Sequence, residues 1–314
     1  MEEKSPLIFE NSHDGGSLPA LQMLVTDIFT WEMLFQISQF AIKVAFANFS
    51  KVIISPKKSN HDEAKAALME QGPSYVVSFV HSMYVTARGM MHLYSLWGAS
   101  NMDKLHIAAE GEYRAAHLEV ARTNILFVAY LFYDLFHIVL QYPKLGGEDT
   151  MAHHMIFAMC SIVNGTYGIM PFQFGWLIVG ELSTIFLNWR WFLLKSGRDA
   201  GSLLENVNSM FAASFFVSRN VIYTAGIVHL YIFSMSELKS LLSPDGAGVP
   251  LSALGITCGC MLLGWFLNLY WGAKILRKVA RAVRARPTVA ANGTTAVAAK
   301  PAKSGKKNRR SKRD

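Results

Sequence analysis

A chain of 314 residues with 52% hydrophobic side chains, only 17% charged ones and a mean hydropathy of +0.24 carries too little charge for an ordinary soluble domain. Its formal net charge of +8 does not make it a nucleic-acid binder: 14 Lys/Arg and one acid lie from Lys274 onward, and residues 1–273 hold 16 basic against 21 acidic side chains. The basic excess is a tail, and no phosphate-cradling glycine loop or nucleic-acid motif accompanies it.

In chain order, residues 1–20 are acidic and polar and lack the basic start and short apolar core of a cleavable signal. Seven apolar segments follow, near 21–49, 75–97, 119–142, 152–171, 174–195, 207–234 and 250–275. Each is close to the roughly 20 residues that cross a bilayer as a helix. The first contains Asp27, Glu32 and Lys43 and has a second reading, as a partly interfacial helix. The fourth and fifth meet at Met170-Pro171-Phe172-Gln173, a link short enough only for an antiparallel hairpin. Cys160, Cys258 and Cys260 all sit in apolar runs, which suits packing rather than a disulfide framework or zinc. Beyond residue 286 the Ala, Thr, Lys and Pro content predicts a disordered tail, 286–314, whose basic clusters attract anionic lipid.

Orientation follows from where the cations fall. Lys51, Lys57, Lys58 and Lys65 after the first segment, Lys195 and Arg198 after the fifth, and the C-terminal run all mark a cytosolic side. Seven spans with the N-terminus lumenal and the C-terminus cytosolic satisfy them; six spans would put the N-terminus in the cytosol. The expected protein is therefore all-α and integral to the membrane, with about seven transmembrane helices.

Polar residues inside the segments are spaced as helical stripes. His81, Arg88, His92 and Ser95 share one face of the second segment, and Tyr130, Asp134, His137 and Gln141 one face of the third. Glu181, Thr184 and Asn188 align in the fifth, and Asn208 and Arg219 in the sixth. An ionisable side chain facing lipid at mid-depth costs about 2.5–3.5 kcal/mol or more. The stripes must face each other or water, either as polar contacts between helices or as the wall of an internal cavity. Four helices with the same pattern favour the cavity. Glu181 is expected to pair with Arg88 or Arg219, since an arginine at its depth would hold it ionised.

Several runs then resemble a known family. His153-His154, Asn164-Gly165, Gly180-Glu181-Leu182-Ser183-Thr184 and Asn188-Trp189-Arg190-Trp191-Phe192 are similar to the TLC domain, shared by ceramide synthases and smaller membrane proteins. Tyr130-Leu131-Phe132-Tyr133-Asp134-Leu135, Pro143-Lys144-Leu145-Gly146 and Asn268-Leu269-Tyr270-Trp271 resemble the smaller members. The resemblance covers about residues 50–285, with residues 21–49 as a helix outside it. It implies six helices in a barrel around a lipid-sized chamber, in the endoplasmic reticulum, and a role in membrane lipid homeostasis. In ceramide synthases the matching His pair belongs to an acyltransferase that uses cytosolic acyl-CoA, so acyl-CoA is implied as co-substrate, with no resident cofactor. By the same resemblance His153 and His154 are catalytic, and Asn164 and Arg190 join the lining residues. Where ceramide synthases carry a His-Asp and a further Asp beyond the His pair, this chain has one acid, Glu181.

Two functional readings stay open at this stage. Adjacent helical residues lie about 100° apart, so one of His153 and His154 faces the cavity squarely while the other contacts Asp134 or a headgroup. The cavity-facing imidazole suits nucleophilic or base chemistry near neutral pH, oriented by Asp134 and supported by Glu181. The other reading is a non-catalytic lipid-binding regulator or cargo-escort protein. His81, His137, His153 and Asp134 show no metal-ligand spacing, and no metal is expected.

Overall fold

The computed structural model describes residues 18–108, 110–198, 202–243 and 248–285. The expectations for most of the N-terminal tail and for the basic tail 286–314 lie outside these residues. Among the described residues every regular element is helical. In chain order they are α1 Leu18–Ile53, α2 His61–Glu70, α3 Gly72–Ser95, α4 Asn101–Leu105, α5 Arg114–Leu140 and α6 Glu148–Tyr167. There follow α7 Pro171–Val179, α8 Leu182–Lys195, α9 Ser202–Phe215, α10 Tyr223–Val228, α11 Met235–Ser240 and α12 Leu251–Ala285. A π-helical stretch, Phe216–Ile222, joins α9 and α10 into one rod, and a second, His229–Phe233, continues it beyond α10.

Among the described residues four helical stretches are long and apolar enough to cross a membrane: Arg114–Leu140, Pro171–Lys195, Ser202–Ile232 and Leu251–Arg281. The helices α1, α3 and α6, where three further spans are expected, run for 36, 24 and 20 residues, α1 with a kink at Phe49. The helices that build the site belong to one compact unit, which ends at Leu276.

The expected hairpin between the fourth and fifth segments is made by local chemistry. Helix α6 ends at Gly168, whose φ of +61° gives the left-handed C-terminal cap that glycine adopts without cost. Pro171 then opens α7, where its missing N–H is no loss. Between them Met170 also takes a left-handed φ, +59°, held by its N–H donating to the Leu105 carbonyl at 2.7 Å. With Ile107 N–H donating to Gly168 O at 2.8 Å, these bonds stitch the loop after α4 to the hairpin.

Helix α3 runs through the middle, packed against α1, α5, α7 and α8. Its face carries small residues where backbones approach closely: a Cβ on Gly89 would lie 2.8 Å from the Gly175 carbonyl. Gly226 does the same for the rod, since a Cβ there would fall 2.2 Å from the Trp176 ring. Helix α12 is tied in by polar bonds, Tyr223 Oη to Met261 O at 3.0 Å, Trp265 Nε1 to Thr224 Oγ1 at 2.9 Å and Thr257 Oγ1 to Asn164 Oδ1 at 2.8 Å. The outward face of α1 shows Phe29, Met33, Ile37 and Phe40, an apolar stripe of the kind that faces lipid.

Candidate functional site

The fifth apolar segment is not one uninterrupted helix. At Gly180 and Glu181 the ladder tightens to i→i−3 bonds: Glu181 N–H donates to Ile178 O at 3.0 Å, and Thr184 N–H to Glu181 O at 3.0 Å. A regular helix would have used the Gly180 carbonyl for Thr184. Released, it accepts instead from Arg219 Nε at 2.9 Å. The same guanidinium donates to Ser183 Oγ at 3.0 Å, Thr184 Oγ1 at 3.2 Å and Glu181 Oε1 at 2.9 Å. Arg219 stands in the first π stretch, where the wider turn carries it across to the α7–α8 break. Glu181 thus pairs with Arg219, one of the two partners expected.

Facing this pair, α6 delivers the two histidines. Glu148 and Asp149 in its first turn suit the positive end of the helix. One turn further, His154 Nε2 lies 2.9 Å from Asp134 Oδ2 on α5, and its Nδ1 2.9 Å from the Thr150 carbonyl. A carbonyl only accepts, so Nδ1 must carry a proton. The Nε2–carboxylate contact then needs a second proton, on the imidazole or on Asp134. The pair therefore stores one exchangeable proton inside the bundle. His153, turned away by one residue, packs on Phe157 at 4.5 Å and Trp271 at 5.6 Å between ring centroids, and its buried Nδ1 has no hydrogen-bond partner. Glu181 lies within electrostatic reach of His154, and Arg219 of His153. Four of the expected residues, together with His153, therefore form one ionisable layer, with side chains of Asp134, His154, Glu181 and Arg219 all 19% exposed or less.

His81 adjoins that layer. It is buried, stacks on Tyr130 with ring centroids 3.4 Å apart and lies within electrostatic reach of His154. Asn188 donates to Ser78 Oγ on α3 at 3.0 Å, and Arg190 Nε to Asn208 Oδ1 at 2.7 Å. Thr184 serves Arg219 as described. The remaining residues are elsewhere. Arg88 bonds Glu119 at 2.5 Å and Thr123 Oγ1 at 3.2 Å on α5, not Glu181. His137 turns to Glu32 of α1 at 2.9 Å, and Asn164 to Thr257 of α12. Among the described residues no three His, Cys, Asp or Glu side chains meet closely enough to hold a metal ion.

Sequence reasoning missed Tyr75, which stacks on Trp191 at 3.9 Å, and Ser78. Ser74, Ser78, His81 and Ser82 follow i, i+4, i+7, i+8 spacing on α3, so the stripe of the second segment begins two turns earlier than His81. Hydroxyl side chains in an apolar run are a weak signal on their own.

Comparison with known proteins places the architecture. The family model for the TLC domain matches residues 73–277, most of the described helices and all of the ionisable layer. The chain belongs to the TLC-domain family. It is 29% identical over 241 residues to TLC domain-containing protein 4-B of Danio rerio, covering 74% of this chain and 82% of that protein. It is also 23% identical over 245 residues to TLC domain-containing protein 4 of Xenopus tropicalis, covering 75% and 87%. TLC domain-containing protein 4 A of Dictyostelium discoideum matches more narrowly, at 22% over 153 residues, 48% of this chain and 55% of that protein. Among the described residues this TLC-domain protein is an all-α membrane protein, with Asp134, His154, Glu181 and Arg219 turned inward.

Proposed function

We propose that this TLC-domain protein handles acyl lipid in an internal membrane, the endoplasmic reticulum, and so serves membrane lipid homeostasis. In this reading α1, α3, α5, α6, α7–α8, the α9–α10 rod and α12 are seven spans. The last six surround a lipid-sized chamber, with the N-terminus lumenal and the C-terminus cytosolic, beside anionic lipid. One observation carries the proposal: Asp134–His154, between α5 and α6, and Glu181–Arg219, between the α7–α8 break and the rod, lie within electrostatic reach of each other among apolar helices. Burying ionic pairs is rarely a gain in stability over apolar packing, so their concentration supports a site that acts on a ligand.

The catalytic form of this reading is acyl transfer from acyl-CoA. In the tautomer protonated on Nε2, the His153 Nδ1 lone pair attacks the thioester carbonyl. The C–S bond breaks, and the thiolate takes the proton held by His154 and Asp134. An amine or hydroxyl acceptor then attacks the acyl-imidazole carbonyl, releases the imidazole and returns its proton to that pair. The expected result with labelled acyl-CoA is a covalently labelled protein, with label absent in His153→Ala and reduced in His154→Ala. Unchanged label in both variants would end the acyl-transfer reading.

A second reading is a non-catalytic lipid-binding regulator or cargo-escort protein. It is favoured by the two engaged nitrogens of His154 and the four bonded acceptors around Arg219. Lipid that co-purifies tightly with the protein, without covalent label from acyl-CoA, would select it.

A further inference from the structure

Two interior side chains stand apart from the ionisable layer and have polar atoms without partners. Gln173, in the first turn of α7, is fully buried, and neither its Oε1 nor its Nε2 has a hydrogen-bond partner. Asn124, on α5, is buried too; its Nδ2 donates to the Ser161 carbonyl at 2.8 Å, while its Oδ1 is unmatched. They lie at similar depth, because Phe127, one turn on from Asn124, packs edge-on against Phe174, next to Gln173, with ring centroids 5.7 Å apart. At 1.5 Å per helical residue this level is about 12–15 Å along the bundle from Glu181 and Asp134.

Buried amides are normally matched; Asn124 and Gln173 leave three bonds unmade at one depth, and the Trp176 Nε1–H, one turn on from Gln173, is unmatched as well. The chemistry of the three amide atoms narrows the guest. Two are acceptors that lack a donor, and one is a donor that lacks an acceptor. An ester or ketone carbonyl could serve only the Gln173 N–H; an ammonium could serve only the oxygens. A hydroxyl does both, donating to an amide oxygen while it accepts from Nε2. We propose that Asn124 and Gln173 form a second, uncharged binding layer that takes a hydroxyl carried part-way along the chain of a bound lipid. The proposal rests on the lipid-chamber reading: the polar end of the molecule sits at the ionisable layer, and the chain runs toward the α6–α7 hairpin.

The test uses the full-length protein in nanodiscs, with two competing ligands. These are a mid-chain-hydroxylated fatty acid and its unsubstituted counterpart of the same length. The wild type is expected to prefer the hydroxylated acid about tenfold, the worth of one net hydrogen bond. Gln173→Met, close to glutamine in volume, and Gln173→Leu are each expected to abolish that preference by weakening the hydroxylated ligand alone. Equal binding of both acids by the wild type overturns the layer, as a site filled by water only would give, and leaves the lipid-chamber reading standing. Binding of neither acid removes both. A preference that survives in Gln173→Met and Gln173→Leu overturns the assignment to Gln173. The comparison of the two acids on the wild type stands even where a variant fails to fold.

Discussion

Arg219 and Arg88 are both arginines set in apolar helices, and the protein treats them in opposite ways. Arg219 is buried with four acceptors around it, and its partner Glu181 is only 19% exposed. Arg88 reaches a carboxylate, Glu119, that is 47% exposed and shared with Arg122. The first pair is embedded among bonded partners inside the bundle; the second is a rim contact that solvent can replace. Burial of the partner, not the presence of an arginine, is what sets the two apart.

The largest expected effect breaks this comparison at its buried side. Arg219→Leu strands the Glu181 carboxylate, a loss of about 3–5 kcal/mol, while Arg88→Leu costs about 1 kcal/mol or less. Thermal unfolding in detergent measures both. The double variant Arg219→Leu with Glu181→Leu should recover most of the loss, since the unpaired charge is then gone. Equal destabilisation by Arg219→Leu and Arg88→Leu would erase the distinction.

A second change sharpens the role of the stored proton. In Asp134→Asn the new amide N–H donates to Nε2 of a neutral His154, whose Nδ1 still donates to Thr150 O. The fold should then hold to within about 1 kcal/mol, the net worth of one hydrogen bond, while label transfer from acyl-CoA falls by an order of magnitude or more, within the range of general acid–base catalysis. Transfer that survives at full rate would show that the pair only fastens α5 to α6.

The smallest effect lies outside the spans. Burial, with neighbouring His117 adding to it, lowers the pKa of His106 below the ordinary imidazole value. The open form of this loop therefore takes up a proton before the closed form does, and closure weakens as pH falls through about 6.5. Amide exchange at Ile107 and Met170, corrected for intrinsic rates, should speed up below that pH and not above it. Flat protection across the range would clear His106 of any part.

How far the amino-acid chain disclosed this arrangement depends on the separation of the partners. The Asp134, Glu181 and Arg219 stripes were legible because ionisable residues are rare in apolar runs and must turn inward. The 100° offset showed only that the two histidines diverge; Asp134 was one of the partners it left open, and His154 is the ring that takes it. The partner of Arg88 was not legible: Glu119 sits at the edge of its segment, where a carboxylate is equally at home in water. Nor was Glu32 as the partner of His137, because nothing local fixes how α1 lies across α5. The break at Gly180–Glu181 goes with Arg219 bonding the Gly180 carbonyl from a neighbouring helix, a tertiary contact that leaves no periodic trace. Gln173 looked like part of a turn, and only its burial shows otherwise.

The π stretch at Phe216–Ile222 also makes the rod tolerant of one change in length in a way its composition does not suggest. Such a turn stores one surplus residue relative to an α turn. Removing a single residue there, other than Arg219, would let the stretch tighten into a regular spiral while everything after it keeps its facing; in an ordinary α turn the same deletion would swing the rest of the rod by about 100°. Gly226 would stay against Trp176 and Tyr223 beside Met261. What the deletion would take away is the wider turn that carries Arg219 across to the α7–α8 break.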